Sequence, residues 1–306
     1  MSGVHQLKLV TLTLAAGCGL AFAPDSFPAM LARAFLPWWA VLFLGLAALA
    51  MARGRWWWSA SGFIAAALVA APLRVPVPDP VGKDGGSGLR VATMNLWQVN
   101  GRRSDAVRSA VATDADVIAF QEVNAIWAAA LEEGLAVRYP YRRAVPREDC
   151  YGIALFSRFP IGAIRVAEVE GTPFILADAE TDGGTVRICA AHAASPTSLM
   201  DFRRRNAQLR WLAREMGASD HPMLVIGDLN TVHWDDAYRR LCRASGGRPA
   251  STPLDITWPS FGPLALIPID HVLLRGPVEP AALSTFEVAG SDHRGIVADI
   301  ILTHES

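Results

Sequence analysis

Lysine is nearly absent from this chain: Lys8 and Lys83 are the only two among 306 residues. From Gly88 onward there is none, and 22 arginines stand against 26 acidic residues. A protein that binds duplex DNA usually carries a basic stripe, so this composition disfavours nucleic acid as the main partner. Exposed charge is common, so we expect solvated helix faces rather than phosphate sites at the three arginine clusters, Arg102-Arg103, Arg142-Arg143 and Arg203-Arg204-Arg205.

Paired cysteines are missing as well. The four cysteines, at 18, 150, 189 and 242, are scattered and form no C-x-x-C motif. A zinc site built from thiolates is therefore not expected. Cys189 alternates with apolar neighbours and is expected to be a small buried hydrophobe.

Charge is scarce in the first 73 residues, whose charged side chains are those of Lys8, Asp25, Arg33, Arg53 and Arg55. Three apolar stretches of 16 or 17 residues lie here, at about 7–23, 36–52 and 56–71. These lengths are at the short end of what spans a bilayer, and the tryptophans at 38–39 and 56–58 fit an aromatic belt. No stretch shows a polar face, which disfavours helices of a soluble core. Residues 1–73 therefore predict a membrane region with about three transmembrane helices.

The basic turn Arg53-Gly54-Arg55 and Lys8 are placed in the cytoplasm by the positive-inside rule. This predicts a multi-pass protein of the cytoplasmic (inner) membrane with its C-terminal part extracytoplasmic or periplasmic. Alternatively the first stretch is a signal peptide, because Ala21-Phe22-Ala23 resembles a cleavage site. Both readings put the C-terminal part on the same side. A Pro- and Gly-rich linker at 74–88 leads into this part, a domain at 89–306.

Apolar periodicity in the C-terminal part predicts strands interrupted by helices. Helices are expected at 104–113, 124–133, 198–216 and 234–243. Strands are expected at 89–95, 116–121, 151–157, 161–169, 173–178, 185–192, 222–227, 269–274, 283–288 and 296–302. This order indicates an α/β or α+β domain with two layers of sheet.

Four polar clusters lie at the ends of these apolar runs. They are Thr93-Met94-Asn95-Leu96, Gln121-Glu122, Gly227-Asp228-Leu229-Asn230 and Ser291-Asp292-His293. Such side chains are costly to bury unless they are paired or bound to a ligand, so they predict one shared polar site at the rim of a sheet. Their hard oxygen atoms suit Mg²⁺ or Mn²⁺.

The order of the clusters carries a resemblance. With Ser157-Arg158-Phe159-Pro160-Ile161, His192 and Ile269-Asp270-His271 placed between them, the chain resembles the endonuclease/exonuclease/phosphatase (DNase I-like) superfamily over about residues 89–302. This group holds DNase I, abasic-site nucleases, neutral sphingomyelinases and inositol-phosphate phosphatases. The resemblance implies a four-layer α/β/β/α sandwich. The N-terminal apolar stretches and Thr257-Trp258-Pro259-Ser260 resemble a membrane-anchored bacterial branch that includes proteins associated with teicoplanin and vancomycin resistance.

The resemblance also implies roles for individual residues. Glu122 would be the main metal ligand, Asn95 a ligand or its neighbour, and Asp292 would complete the metal site. His293, oriented by Asp270, would contact the phosphate or act as acid or base. Asp228 would activate the attacking water, Asn230 would hold water or phosphate, and His192 would donate a hydrogen bond to a phosphate oxygen. The division of water activation between Asp228 and His293 stays open.

Each of these residues also has a structural reading. Asn95 and Asn230 occur as helix caps or turn residues, and Asp228 as an N-terminal cap. His192 alone would be a satisfied interior histidine, and His221, His233 and His271 are expected at the surface or behind the site. Seven motifs in the family order favour the functional reading.

The sequence thus predicts a metal-dependent phosphoesterase that hydrolyses a phosphodiester, pyrophosphate or phosphomonoester at the extracytoplasmic membrane surface. A lipid or lipid-linked (polyprenyl-linked) phosphate is the expected substrate. The alternatives are an extracytoplasmic Mg²⁺-dependent nuclease and a catalytically inactive, membrane-anchored binding module. Specificity is expected to lie in loops at 142–149, 195–205 and 249–268, which do not identify the substrate, and the oligomeric state stays open.

Overall fold

The computed structural model describes residues 3–74, 87–262 and 264–303. These residues divide into two units: the N-terminal part up to Arg74 together with His233–Asp236, and all the others. Most of the predicted linker, residues 75–86, lies outside the described residues.

The first unit is helical. Prolines stand in the first turns of its second and third helices, where the missing N–H costs nothing. Gly54, with φ +67°, makes the turn before the fourth helix, which ends in a 3₁₀ turn. The helices are α1 (Gly3–Phe22), α2 (Phe27–Ala34), α3 (Leu36–Ala52) and α4 (Trp56–Ala70).

The described residues do not confirm all three of the predicted transmembrane helices. By length and composition, one described helical stretch, Trp56–Leu73, is long and apolar enough to cross a membrane. His5–Phe22 and Phe27–Ala34 meet the same criteria only as a pair, and they are bent by 103° at the break between them. The third apolar helix, Leu36–Ala52, has only 17 residues. The described residues therefore offer one span, or two if the bent pair counts as one, and the predicted three are not confirmed.

The second unit contains two six-stranded sheets. The first has the order β11-β12-β1-β2-β4-β3 and the second β5-β6-β7-β8-β10-β9. The strands are β1 (Ser87–Asn95), β2 (Val117–Gln121), β3 (Tyr141–Val145), β4 (Ile153–Ser157), β5 (Ile161–Val169), β6 (Thr172–Thr181), β7 (Gly184–His192), β8 (Met223–Asp228), β9 (Arg248–Pro249), β10 (Asp270–Arg275), β11 (Val278–Glu287) and β12 (Arg294–Leu302). The helices are α5 (Arg103–Ala112), α6 (Ala125–Leu135), α7 (Leu199–Gly217) and α8 (Asp236–Ser245).

The two sheets pack face to face, which confirms the predicted two-sheet α/β sandwich. One apolar core, with Val91 and Ile226 among its members, draws on strands of both sheets. A second core joins the outer face of the first sheet to α5 and α6, for example through Phe120 and Trp127. A third joins the second sheet to α7 and α8, for example through Val225 and Leu241. Alternate residues of the central strands are therefore buried on both faces, and the strands read as continuous apolar runs.

Three elements differ from the sequence prediction. β3 falls partly within 142–149, which was predicted as a loop, and β9 overlaps the predicted loop 249–268 at Pro249. β11 begins at Val278 rather than near 283. β3 and β9 lie at sheet edges, and β3 is exposed or half-buried along its length, so it lacks the apolar pattern that marks buried strands.

Strand register brings the predicted site residues to one rim. β1 and β2 run parallel with Asn95 opposite Gln121, and β7 and β8 run parallel with His192 opposite Asp228. β10 is antiparallel to β8 and starts opposite its end, with Asp270 facing Asp228. Carboxyl ends of parallel strands and the start of an antiparallel neighbour thus meet at the same edge.

Gly152 permits a close approach of two chain segments at this rim. Its carbonyl accepts a hydrogen bond from Val123 N at 3.0 Å, directly after Glu122. A Cβ atom built on Gly152 would lie 1.8 Å from the carbonyl oxygen of Val123. No side chain other than hydrogen fits there, so Gly152 fixes the backbone that carries Glu122.

We expect Gly152→Ala to destabilise the second unit by roughly 3 kcal/mol, because the backbone around Val123 must move to admit the methyl group. Urea denaturation of the full chain in mild detergent, followed by tryptophan fluorescence, measures the change. Gly101→Ala is the matched control, since a Cβ there meets nothing within 4 Å. Equal denaturation midpoints for the two variants would contradict the steric argument.

Candidate functional site

Asn95 joins the two sheets at the centre of the site. It ends β1, is fully buried, and its Nδ2 donates to Glu122 Oε1 at 3.1 Å and to Asp228 Oδ2 at 3.2 Å. Its Oδ1 accepts from the backbone N–H of Trp97 at 3.0 Å, which fixes which end of the amide faces the carboxylates. Glu122 follows a strand of the first sheet and Asp228 ends a strand of the second, so one amide links both halves of the site.

Glu122 is the first residue after β2 and adopts a left-handed conformation, with φ +63°. Its Oε2 accepts a hydrogen bond from Gln98 N at 2.8 Å. Burial raises the pKa of this carboxyl group, and the negative charge of Asp292 raises it further, against the hydrogen bonds from Gln98 and Asn95. A left-handed backbone and a desolvated carboxylate both cost free energy, which a bound cation would offset.

Only one of the two carboxylate oxygens of Asp292 accepts a hydrogen bond from the described residues. Its Oδ2 accepts from the indole Nε1 of Trp258 at 3.1 Å. Its Oδ1 is buried and has no hydrogen-bond partner among the described residues. A buried, unpartnered carboxylate oxygen fits a cation as a ligand.

Two neighbouring groups of side chains could therefore hold a metal ion. Glu122 and Asp292 offer carboxylate oxygens, the donors that Mg²⁺ and Mn²⁺ prefer, and Asn95 supports this group through its hydrogen bond to Glu122. Asp228, Asp270 and His293 lie closer together, with ligand atoms all within 4.8 Å of one another. In that second group, however, His293 Nδ1 already donates to Asp270 Oδ2 at 2.9 Å, which leaves an acid–base pair rather than an open set of ligands.

His293 links the two sheets a second time. It directly precedes β12, and the carboxylate that accepts its Nδ1–H begins β10. Its Nε2 lies 3.9 Å from Asp228 Oδ2. Burial alone would lower the pKa of the imidazole, but the charge and hydrogen bond of Asp270, with the charge of Asp228, outweigh burial and raise the pKa to about 9. His293 is therefore held as a cation near neutral pH.

Asp228 is close to both groups, because its Oδ2 accepts from Asn95 and also lies near His293 Nε2. Burial, followed by the charge of Asp270, raises the pKa of its carboxyl group to about 8. Its Oδ1 accepts from the backbone N–H of Asn230 at 2.8 Å, and Asn230 Nδ2 donates to the carbonyl of Ala193 at 2.9 Å. Asn230 has φ +48°, a left-handed conformation typical of turns. It is therefore a turn residue and a residue of the site at the same time.

His192 ends β7 with its Nε2 3.7 Å from Asp228 Oδ2. It is almost fully buried, and burial lowers the pKa of its imidazole to about 4. Its Nδ1 has no hydrogen-bond partner among the described residues, and the ring of Tyr151 packs against it at a centroid distance of 5.3 Å. His192 is thus neutral where His293 is charged. The structure brings together all eight predicted residues: Asn95, Glu122, His192, Asp228, Asn230, Asp270, Asp292 and His293.

Several contacts at the site were not predicted. Ser291 Oγ donates to the carbonyl of Asn95 at 2.8 Å and accepts from His293 N at 3.0 Å, so it ties the last cluster to the first. Thr257 Oγ1 accepts from Asp270 N at 3.3 Å, next to the Trp258 that holds Asp292. Both residues lie in motifs that the sequence singled out, but which atoms they would contact depends on how distant segments pack.

The buried face of α7 holds two of the loops. Arg205 is fully buried and donates to the carbonyl of Asn230 at 3.1 Å and to Asn206 Oδ1 at 3.0 and 2.8 Å. One turn further, Gln208 Oε1 accepts from Ala194 N at 2.7 Å in the loop after His192. The prediction that Arg203-Arg204-Arg205 is a solvated face is therefore wrong for its third member. Arg204 also departs from it, lying over the Tyr151 ring at 5.5 Å.

A model of the Endonuclease/Exonuclease/phosphatase family matches residues 92–293. No curated protein sequence matches the chain. Similar solved structures include D. rerio TDP2 complexed with single-strand DNA product, at 18% identity and a TM-score of 0.59, covering 70% of this chain and 99% of that chain. The human Nocturnin catalytic domain with bound sulfate has 17% identity and a TM-score of 0.58, over 71% and 95%. Sphingomyelinase C from Streptomyces griseocarneus has 18% identity and a TM-score of 0.52, over 70% and 99%. These likenesses show the fold.

Arg205→Met should destabilise the second unit by about 3 kcal/mol, because it leaves the buried oxygens of Asn230 and Asn206 without their donor. Denaturant unfolding measures the loss. Arg203→Met is the matched control, because Arg203 lies two residues earlier on the same helix and is exposed. It should change the free energy of unfolding by less than about 0.5 kcal/mol. If both variants unfold at the wild-type midpoint, Arg205 does not support the Asn230 loop.

His271 lies behind the site and gives a pH dependence. It is fully buried with Nε2 2.7 Å from the carbonyl of Thr231, and burial lowers its pKa to about 4. The folded state keeps it neutral, whereas the unfolded chain binds a proton below pH ~6.5. Stability from this group is thus complete above pH ~6.5 and falls by up to about 1.4 kcal/mol per unit as the pH drops towards 4. His271→Gln should remove this share of the slope in denaturation curves measured from pH 7 to 4. Identical slopes in wild type and variant would refute the assignment.

Proposed function

Because the chain belongs to the endonuclease/exonuclease/phosphatase family, whose members hydrolyse phosphoesters, we propose that it is a divalent-metal-dependent phosphoesterase. The observation that carries the proposal is the joining of two groups by Asn95. An all-oxygen group around Glu122 and an acid–base group around Asp228 and His293 share one amide at the meeting point of the sheets. The placement suits a phosphorus centre that must be held from one side and attacked from another.

Glu122, with Asn95 and Asp292, would hold the metal ion. Bound there, a Mg²⁺ or Mn²⁺ would neutralise phosphate charge and stabilise the carboxylates in their ionised form. The fit rests on the open Oδ1 of Asp292 and the desolvated carboxylate of Glu122.

The remaining residues supply binding and proton transfer. In hydrolysis, a water oxygen bonds to phosphorus and the water loses a proton, while the bond from phosphorus to the leaving oxygen breaks and that oxygen takes a proton from solvent. Asp228 accepts that proton in its ionised form, which the cationic His293 3.9 Å away favours, and Asn230 fixes its Oδ1. His293, held as a cation by Asp270, donates from Nε2 to a phosphate oxygen, and neutral His192 binds a further oxygen. One cationic and one neutral imidazole thus bind different phosphate oxygens.

The substrate we propose is a phosphodiester, pyrophosphate or phosphomonoester carried by a lipid or a polyprenyl-type chain. Support comes from the apolar N-terminal helices and from the acidic excess of the second unit, which disfavours extended contact with nucleic acid. The same features support a multi-pass arrangement in the cytoplasmic membrane with the catalytic unit extracytoplasmic, by the positive-inside argument from Arg53 and Arg55. The membrane-anchored bacterial branch remains the narrower proposal.

A nuclease is the second candidate. TDP2, one of the similar structures, was solved with single-strand DNA product. Trp97, whose backbone N–H donates to Asn95, is 42% exposed, and an exposed indole offers a surface on which a base stacks. An inactive binding module is the third candidate, and the complete, connected set of eight side chains argues against it.

Replacing Glu122 tests the function. Purified full-length protein in mild detergent with Mg²⁺ or Mn²⁺ should release phosphate or head group from lipid phosphates, and chelation should stop the release. Glu122→Gln keeps the shape but removes the charged ligand, so activity should fall by at least ~100-fold. The measurement is product release from parallel sets of lipid phosphates and single-stranded oligonucleotides.

Glu133→Gln, an exposed glutamate on α6, is the matched control and should retain full activity. Unchanged activity in Glu122→Gln would refute the metal assignment. Cleavage of oligonucleotides alone would replace the lipid proposal with the nuclease. No metal-dependent product from either set would favour the binding module.

A further inference from the structure

The two helices that cover the second sheet carry a charge opposite to that of the rest of the unit. α7 and α8 together contain eight arginines and three acidic residues. The remaining sequence from Gly88 onward contains 14 arginines and 23 acidic residues. The sequence from Gly88 onward is acidic overall, but the layer formed by α7 and α8 has an excess of basic side chains. Such an asymmetry orients a protein in front of a negatively charged surface.

Four of these arginines surround one groove. Arg210 and Arg214 of α7 and Arg240 and Arg243 of α8 are exposed and line a groove of about 600 Å³ between the helices. No acidic side chain is among the described residues that line it. Arg210, Arg214 and Arg243 have no carboxylate within salt-bridge distance among the described residues, so their charge is available.

The lining of the groove indicates the kind of anion. The floor of the groove between the arginines consists of buried aliphatic side chains, such as Leu209 and Leu241, and no aromatic side chain is among the described lining residues. Proteins that bind single-stranded nucleic acid combine basic grooves with aromatic stacking platforms, which this groove lacks. A single free phosphate would be held by converging, buried donors, whereas these four guanidinium groups are exposed and spread over two helices. Exposed arginines that are spread along two helices, each with a long aliphatic stem, suit the head groups of a bilayer.

We propose that this face, defined by Arg210, Arg214, Arg240 and Arg243, docks the catalytic unit onto an anionic phospholipid bilayer. The chain itself supports the choice of partner, because it also carries a helical stretch, Trp56–Leu73, long and apolar enough to cross a membrane. α7 starts after the His192 loop and α8 after the Asp228–Asn230 turn. The docked helices are thus the elements that follow two segments of the site along the chain. The inference is independent of which phosphoester the site hydrolyses.

Hydrogen exchange on the full chain tests the docking. The protein is held in neutral detergent micelles doped with either phosphatidylglycerol or phosphatidylcholine, and amide exchange is followed by mass spectrometry. α7 and α8 should gain protection with phosphatidylglycerol and not with phosphatidylcholine, and moderate salt should remove the protection. The triple variant R210Q/R214Q/R243Q should bind the anionic lipid roughly 100-fold more weakly, from the contribution of each arginine near an anionic surface.

The variant R108Q/R138Q/R143Q is the matched control, because it removes the same charge from exposed arginines outside α7 and α8 and should keep the protection. Equal melting temperatures of the two triple variants establish that the groove variant is folded. Equal protection in both kinds of micelle, or loss of protection in both variants, would overturn the proposal. Protection by soluble glycerol phosphate or by an oligonucleotide in undoped micelles would overturn it in favour of a free phosphate or a nucleic acid.

Discussion

The carboxamide of Asn95 is the contact on which the site depends. Its amide nitrogen has two hydrogens, and each is accepted by a carboxylate from a different sheet. Two carboxylates that contact the same amide nitrogen would repel each other at a desolvated rim. A neutral group with two donors holds them together without adding charge. This one side chain therefore determines where Glu122 stands relative to Asp228.

Two histidines of the rim have different protonation states because their surroundings differ. His192 and His293 are both buried, and burial by itself drives both imidazoles towards the neutral form. Only His293 donates to a carboxylate, and that hydrogen bond with Asp270 reverses the effect. The result is one neutral and one cationic imidazole on either side of Asp228. Pairs of groups whose pKa values are pushed apart in this way are typical of acid and base assignments.

The sequence predicted the core strands because they are buried on both faces and therefore read as apolar runs ending at polar residues. Asn95, Glu122 and Asp228 could be placed together because each follows an apolar run, whereas Asp270 was added only through the family resemblance. The edge strand β3 escaped prediction because an exposed strand has no apolar pattern to recognise. Arg205 escaped because a buried and an exposed arginine look alike in a row of three, and only packing against Asn230 separates them. Three apolar stretches did not give three confirmed spans, since apolar composition does not report where a helix breaks.

The position of β12 in its sheet has a consequence for synthesis of the protein. β12 is not an edge strand: it lies between β11 and β1, although it is the last strand in chain order. His293 precedes it, and Asn95 ends its neighbour β1 almost two hundred residues earlier. As the ribosome extends the chain, the first sheet keeps an open edge along β1 until residues 294–302 have emerged. A nascent chain can thus complete its helices and second sheet while it still lacks the imidazole that Asp270 must charge. The candidate site is therefore complete only after the last described strand has joined its sheet.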